Sequence, residues 1–243
     1  MKSPLEKAYK KIITSKKKSA YVALCPDITP LLEDYCNLVT ATHSAKISSG
    51  NKLEDFIYEE YTGLKHENIK FSDVLKIIEE HPNEMIVFKK VKIPKKILID
   101  NSSHKFDRGE NLHLDFLVYY NGELYINELK DGYNLDTKKS NDEINEIEMV
   151  KEVFENVTNK KCYASLILWT CENIEDASIK SAVAGDYIVI GREFAKTLNV
   201  DFDIIEYNRM TFNNGNNEFI KAKIIELADK IKNEENFENE TSL

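Results

Sequence analysis

His113-Leu114-Asp115-Phe116-Leu117-Val118-Tyr119-Tyr120-Asn121-Gly122-Glu123-Leu124-Tyr125-Ile126-Asn127-Glu128-Leu129-Lys130 consists of two mostly apolar runs joined by Asn-Gly. Asn-Gly supplies the two positive-φ residues of a type I′ turn, whose twist matches that of paired strands, so the stretch reads as a β-hairpin. With Asn121 and Gly122 as the loop, opposed residues have numbers that add up to 243. Asp115 then faces Glu128, and His113 faces Lys130. Residues two apart on a strand share a face, so Glu128 and Lys130 point the same way and Asp115 joins them by opposition. Opposed Cβ atoms lie about 5 Å apart, and like charges there destabilise the pair. Leu112, Leu114, Phe116, Leu117 and Val118 flank Asp115, while Leu124, Tyr125, Ile126 and Leu129 flank Glu128. Charge in such surroundings is costly unless it is paired or bound to a metal.

A cation beside the two carboxylates removes that cost. Hard oxygen donors suit Mg²⁺, with Mn²⁺ as a substitute, and an adjacent lysine can orient or acidify a coordinated water. The same three residues also read as solvent-exposed charges near a strand end, with Lys130 as a partial counterion.

Working outward, residues from about 5 to 45 read as helices broken near Cys25-Pro26 and Thr29-Pro30, and Ser48-Ser49-Gly50 marks a further break. Leu53, Phe56, Ile57, Tyr61 and Leu64 recur at helical spacing, which predicts an amphipathic helix over Asn51 to Leu64. Glu54 lies on it, either as a third carboxylate within reach of the hairpin or as a solvated helix-face residue. A helix over Ser72 to Glu80 and strands over Met85 to Ile93 and Ile97 to Ile99 precede the hairpin. After it come a helix over Asn141 to Val157, with Ser140 and Glu143 at capping-box spacing, and a buried, parallel-type strand over Cys162 to Thr170. Tyr187 to Ile190 reads as a strand, Arg192 to Leu198 as a helix and Asp203 to Tyr207 as another strand. A last helix over Asn217 to Ile231 runs into an acidic tail expected to be mobile.

The expected fold is therefore α/β, a central mixed sheet flanked by helices. The expected division is a helical extension over 1–46, a core over 47–206, and a C-terminal helix with tail over 207–243.

At 42% hydrophobic and 31% charged, the 243 residues suit a soluble globular chain with a sizeable core. No apolar run approaches the ~20 residues that span a bilayer. No membrane partner and a cytoplasmic location are expected. Cys25, Cys36, Cys162 and Cys171 form no metal-binding spacing and read as buried free thiols. The formal net charge of −9 is uneven, with Lys2, Lys7, Lys10, Lys11, Lys16, Lys17 and Lys18 at one end and Glu234, Glu235, Glu238 and Glu240 at the other. A solvated helix face explains the lysines as well as phosphate contact does, so charge decides nothing about nucleic acid.

Glu54 on the helix that opens the core, Asp115 on the first hairpin strand and Glu128-Leu129-Lys130 on the second form a pattern that resembles the PD-(D/E)xK nuclease superfamily, and within it type II restriction endonucleases. The likeness covers about residues 47–206 and rests on those few positions; Leu114, not proline, precedes Asp115. It implies Mg²⁺-dependent hydrolysis of double-stranded DNA at a short specific sequence, with Asp115, Glu128 and the Leu129 carbonyl as metal ligands. Lys130 would position the attacking water, and Glu54 would assist. Thr137, Lys138 and Lys139 after the catalytic strand, and Arg108 before the hairpin, are candidate DNA contacts. The segment 131–140 equally suits a polar connection. A homodimer is expected, since two strands need two centres or two visits. A structure-specific nuclease of the same fold and a non-catalytic DNA-binding module are the competing readings.

Overall fold

The computed structural model describes residues 30–241 apart from 105, 107–108, 133, 136, 175–177 and 180–186; for 30–33, 134–135, 137–140, 178–179 and 233–241 it describes the backbone alone. The described residues fall into two compact units, one of Leu53–Ile205 and one of the described parts of Met1–Lys52 and Glu206–Leu243.

The element order is α1 (Pro30–Glu60), β1 (Leu64–Glu67), α2 (Phe71–Glu80), β2 (Ile86–Pro94), α3 (Lys95–Asn101), β3 (Asn111–Tyr120), β4 (Glu123–Lys130), β5 (Asn134–Leu135), α4 (Thr137–Thr158), β6 (Cys162–Leu168), β7 (Ser178–Ile179), β8 (Ile188–Ile190), α5 (Gly191–Leu198) and α6 (Phe202–Thr241). Six strands form one sheet in the order β1-β2-β3-β4-β6-β8, and β5 pairs with β7 separately. The sheet is mixed, as expected. β3 runs antiparallel to both β2 and β4, while β1 joins β2, β6 joins β4 and β8 joins β6 in parallel. Parallel neighbours need a crossover, and α2 and α4 supply it for β1–β2 and β4–β6.

The hairpin has the register its turn dictates. Phe116 faces Asn127 and Tyr120 faces Glu123, around Asn121 at φ 51° and Gly122 at φ 81°. Both faces of the sheet are covered. On one, Phe71, Val74 and Ile78 of α2 and Ile147, Val150 and Phe154 of α4 pack on Ile86, Phe88, Leu117 and Leu124. On the other, Leu53 and Ile57 of α1 and Phe194 and Leu198 of α5 pack on Val87, Phe116 and Leu129.

Four local expectations are corrected. The helix α1 runs through Ser48-Ser49-Gly50 without a break. Glycine inside a helix costs only about 1 kcal/mol, and Ser49 is buried, its hydroxyl donating to Asn213 Oδ1 at 2.7 Å. The same helix stops at Glu60, so Leu64 opens a strand rather than closing a helix. Ile97 to Ile99 is helical, because β2 already runs to Pro94 and the α3 turn buries Leu98. Asp203 to Tyr207 also belongs to a helix, α6. There Asp201 Oδ1 accepts the backbone N–H groups of Asp203 and Ile204 at 2.9 and 3.1 Å, an N-cap that satisfies the first orphan donors. That helix continues to Thr241 through the tail expected to be mobile.

Candidate acid and lysine site on the central strands

The site lies where the sheet's backbone pairing is interrupted. Between β2 and β3, Lys89 pairs with Phe116 and Val91 with Leu114, which skips Lys90 and Asp115. Between β3 and β4 the ladder ends at Phe116 and Asn127, one row before Asp115 and Glu128. Lys90, Asp115 and Glu128 therefore lie along one row across three strands.

Lys90 causes the break on β2, with φ at 57°. A left-handed backbone costs a non-glycine residue about 1–2 kcal/mol. It also shifts the side-chain alternation by one: Phe88, Val91 and Ile93 pack in one cluster, and on β3 so do Leu112, Leu114, Leu117 and Tyr119. Asp115 sits at that slip on β3.

Its carboxylate replaces the missing backbone pairing. Leu129 N–H donates to Asp115 Oδ2 at 3.0 Å, and Lys90 Nζ donates to Oδ1 at 3.2 Å. Lys90 Nζ is also 2.5 Å from Glu54 Oε2, which brings the α1 carboxylate to the sheet. The N–H and C=O of one strand residue point to the same side, so the Leu129 carbonyl is turned toward the Asp115 edge too. On β4, Lys130 Nζ lies 2.9 Å from Glu128 Oε1 and 2.9 Å from Glu143 Oε2 of α4.

Glu54, Asp115, Glu128 and Lys130 thus stand in one connected charge cluster. Lys90 and Glu143, which the sequence reading did not single out, complete it. Ser140 and Glu143 have capping-box spacing, but α4 begins at Thr137, which puts Ser140 inside the helix and leaves the Glu143 carboxylate to hold Lys130. The signal for Lys90 was available: two successive lysines interrupt an otherwise apolar strand at Lys89-Lys90. His113 is exposed and pairs with Lys92 of β2. Thr137, Lys138 and Lys139 fall in the first turn of α4, but their side chains, like Arg108 as a whole, lie outside the described residues.

The electrostatics follow from this crowding. Burial raises the Glu54 pKa to about 7, the charge of Asp115 pushes the same way, and Lys90 opposes it. Burial, then the charges of Asp115 and Glu143, raise Glu128 to about 8 against the pull of Lys130. Burial works against the charged form of Lys130, but Glu128 and Glu143 prevail and hold its pKa above the ordinary lysine value. Lys90 is likewise raised, with Asp115 and Glu54 outweighing burial.

Among the described residues four carboxylates contact two ammonium groups, and Glu54 and Glu128, raised to about 7 and about 8, hold protons near neutral pH where no further cation takes their place. Hard oxygen donors with excess negative charge fit a divalent cation such as Mg²⁺. Among the described residues no group of three or more His, Cys, Asp or Glu side chains is arranged to hold a metal ion. The expected ligand set asks for only two carboxylates, Asp115 and Glu128, with the Leu129 carbonyl as the third oxygen.

The fold and site define a mixed α/β protein with an acid and lysine cluster at an interrupted row of its sheet. No protein-family model matches the chain, and neither curated proteins nor solved structures give a match. Among the described residues no helix is long and apolar enough to cross a membrane.

Proposed function

We propose that this protein is a Mg²⁺-dependent endonuclease that hydrolyses phosphodiester bonds of double-stranded DNA, cutting a short specific sequence in the manner of type II restriction endonucleases. One observation carries the reading: Asp115, Glu128 and the Leu129 main chain converge at a break in the ladder, with the Lys130 ammonium 2.9 Å from the Glu128 carboxylate. Asp115, Glu128 and the Leu129 carbonyl would hold the divalent cation. When bound, that cation supplies stabilisation of the charge that develops on the phosphate oxygens.

The chain's own groups do the rest. Lys130, pinned between Glu128 and Glu143, keeps its proton and directs a donor at the attacking water. Glu54 reaches the row through Lys90 and assists from the α1 side. Backbone donors in the first turn of α4 and the side chains of Thr137, Lys138 and Lys139 follow the catalytic strand closely enough in sequence to serve the DNA backbone. Arg108 is the corresponding candidate before β3. A cytoplasmic protein acting as a homodimer on a palindromic site completes the proposal.

The test is digestion of plasmid or phage DNA with Mg²⁺, with a chelator control and sequencing of the ends. A defined fragment ladder with 5′-phosphate ends is expected. Binding of duplex DNA without cleavage in Mg²⁺ or Mn²⁺ would instead make the module a non-catalytic binder.

A further inference from the structure

Lys90 combines three features that ordinary strand packing does not require. Its backbone is left-handed although it is not glycine or asparagine. It lies in the row of the candidate metal ligands. Its ammonium contacts Asp115 Oδ1 at 3.2 Å and Glu54 Oε2 at 2.5 Å, so one cation bridges carboxylates from two elements. The neighbouring Lys89, in the same apolar strand, is satisfied by other acids, Asp55 and Glu67. The strain at Lys90 therefore delivers a second positive charge specifically to the Asp115 row.

From this we infer that the Lys90 ammonium is a built-in stand-in for the divalent cation: in the resting protein it holds Asp115 Oδ1, an oxygen of the proposed metal ligand, and a metal ion must displace it to bind. The inference rests on the metal-centre reading above. Its chemistry is competition for one oxygen. Asp115 Oδ2 is engaged by Leu129 N–H, so Oδ1, the oxygen Lys90 holds, is the one left to face a metal. A divalent ion brings twice the charge of the ammonium it would replace, and among the described residues the seat is rich in carboxylates. Lys90 side chain is 27% exposed, against 8% for Glu54 and 13% for Asp115, so the lysine has water to swing into while the acids stay fixed. Displaced, it becomes a mobile positive group beside the row, available to an arriving phosphate.

Mn²⁺ binding, followed by electron paramagnetic resonance or calorimetry on the full chain without DNA, tests this separately from activity. Lys90→Asn removes the ammonium while keeping a residue that tolerates positive φ, and Lys90→Gly serves as a second variant with no strain at all. Circular dichroism establishes that each variant is folded. Losing a charge-assisted bond that competes with the metal should tighten Mn²⁺ binding by about tenfold or more in both variants. Measurable Mn²⁺ binding by a variant where wild type shows none would also support the inference. Wild-type binding with unchanged or weaker affinity in both folded variants would overturn it and leave the metal centre standing. No Mn²⁺ binding by any of the three would overturn both.

Discussion

Lys89 and Lys90 are neighbours on one strand and belong to two differently built charge clusters. Lys89 is 3% exposed, has its ammonium 2.5 Å from Asp55 and 2.8 Å from Glu67, and lies over the Tyr58 ring at 5.2 Å. Its acids reach water, with Asp55 at 30% and Glu67 at 41% side-chain exposure. Around Lys90 and Lys130 the carboxylates are less exposed, Glu54 at 8% and Asp115 at 13%, and burial and mutual repulsion raise Glu54 and Glu128 to about 7 and about 8. An ion cluster whose surplus charge is solvated holds a structure together. One whose surplus is enclosed is poised to take up a cation or a proton.

Substitutions in the two clusters should therefore separate activity from stability. The largest effect is expected from Asp115→Ala, Glu128→Ala and Lys130→Ala, each lowering Mg²⁺-dependent cleavage by about 10²–10³-fold or more. Glu54→Ala should lose less. Cleavage rates on a defined duplex give the comparison, and wild-type rates in any folded member of the first three would remove that residue from the site.

Lys89→Met should do the reverse. Breaking a buried pair from one side leaves two acids without their counterion, a cost of about 2 kcal/mol here because both acids retain water. Urea unfolding should show that loss, while cleavage per folded molecule stays within a few-fold of wild type. A large activity loss at unchanged stability would erase the distinction between the clusters.

The raised carboxylates set a pH dependence with a definite sign. Glu54 and Glu128 bind protons more tightly folded than unfolded, so the stability this contributes is fully present below about 4.5 and is lost as pH rises through about 7 to 8. The metal-free protein should therefore be clearly less stable at pH 9 than at pH 5 through these two groups. Ca²⁺ or Mg²⁺ should flatten that slope, since ligation requires the same carboxylates to be deprotonated. Melting curves across pH with and without the ion measure this, and identical slopes would argue that no cation reaches the row.

Among the site residues Glu143→Gln should give the smallest change, about a tenfold fall in cleavage, because Lys130 keeps Glu128 and loses one of two anchors. A drop as deep as that of Lys130→Ala would move Glu143 from holding the lysine to acting in the reaction.

The central hairpin was legible because its information is local. Asn121-Gly122 fixes the turn, the turn fixes the register, and the register places Asp115 beside Glu128 without reference to any other strand. The Lys89-Lys90 pair marks the strand as unusual, but which lysine reaches Asp115, and that Glu143 reaches Lys130, depends on long-range pairing of β2 against β3 and α4 against β4, and nothing in a lone sequence announces a left-handed lysine. Repulsion between Asp115 and Glu128 was foreseen, but not the lysine from a third strand that relieves it. The short runs Ile97 to Ile99 and Asp203 to Tyr207 fit either helix or strand by periodicity; burial of Leu98 in the core goes with the helical turn in the first, and the Asp201 cap with the helix in the second.

Trp169, which directly follows β6, gives the molecule an optical property. It is the single tryptophan of the chain, fully buried, with its main-chain N–H on the Lys130 carbonyl at 2.9 Å and its ring stacked on Phe202 at 4.9 Å. All indole fluorescence therefore arises from one dry position, one hydrogen bond away from the lysine strand. The emission of the native protein should be blue-shifted and shielded from iodide quenching, and it will redden when that packing opens. No dye or engineered label is needed to follow whether the end of β4 responds to an added cation, in real time and at low protein concentration.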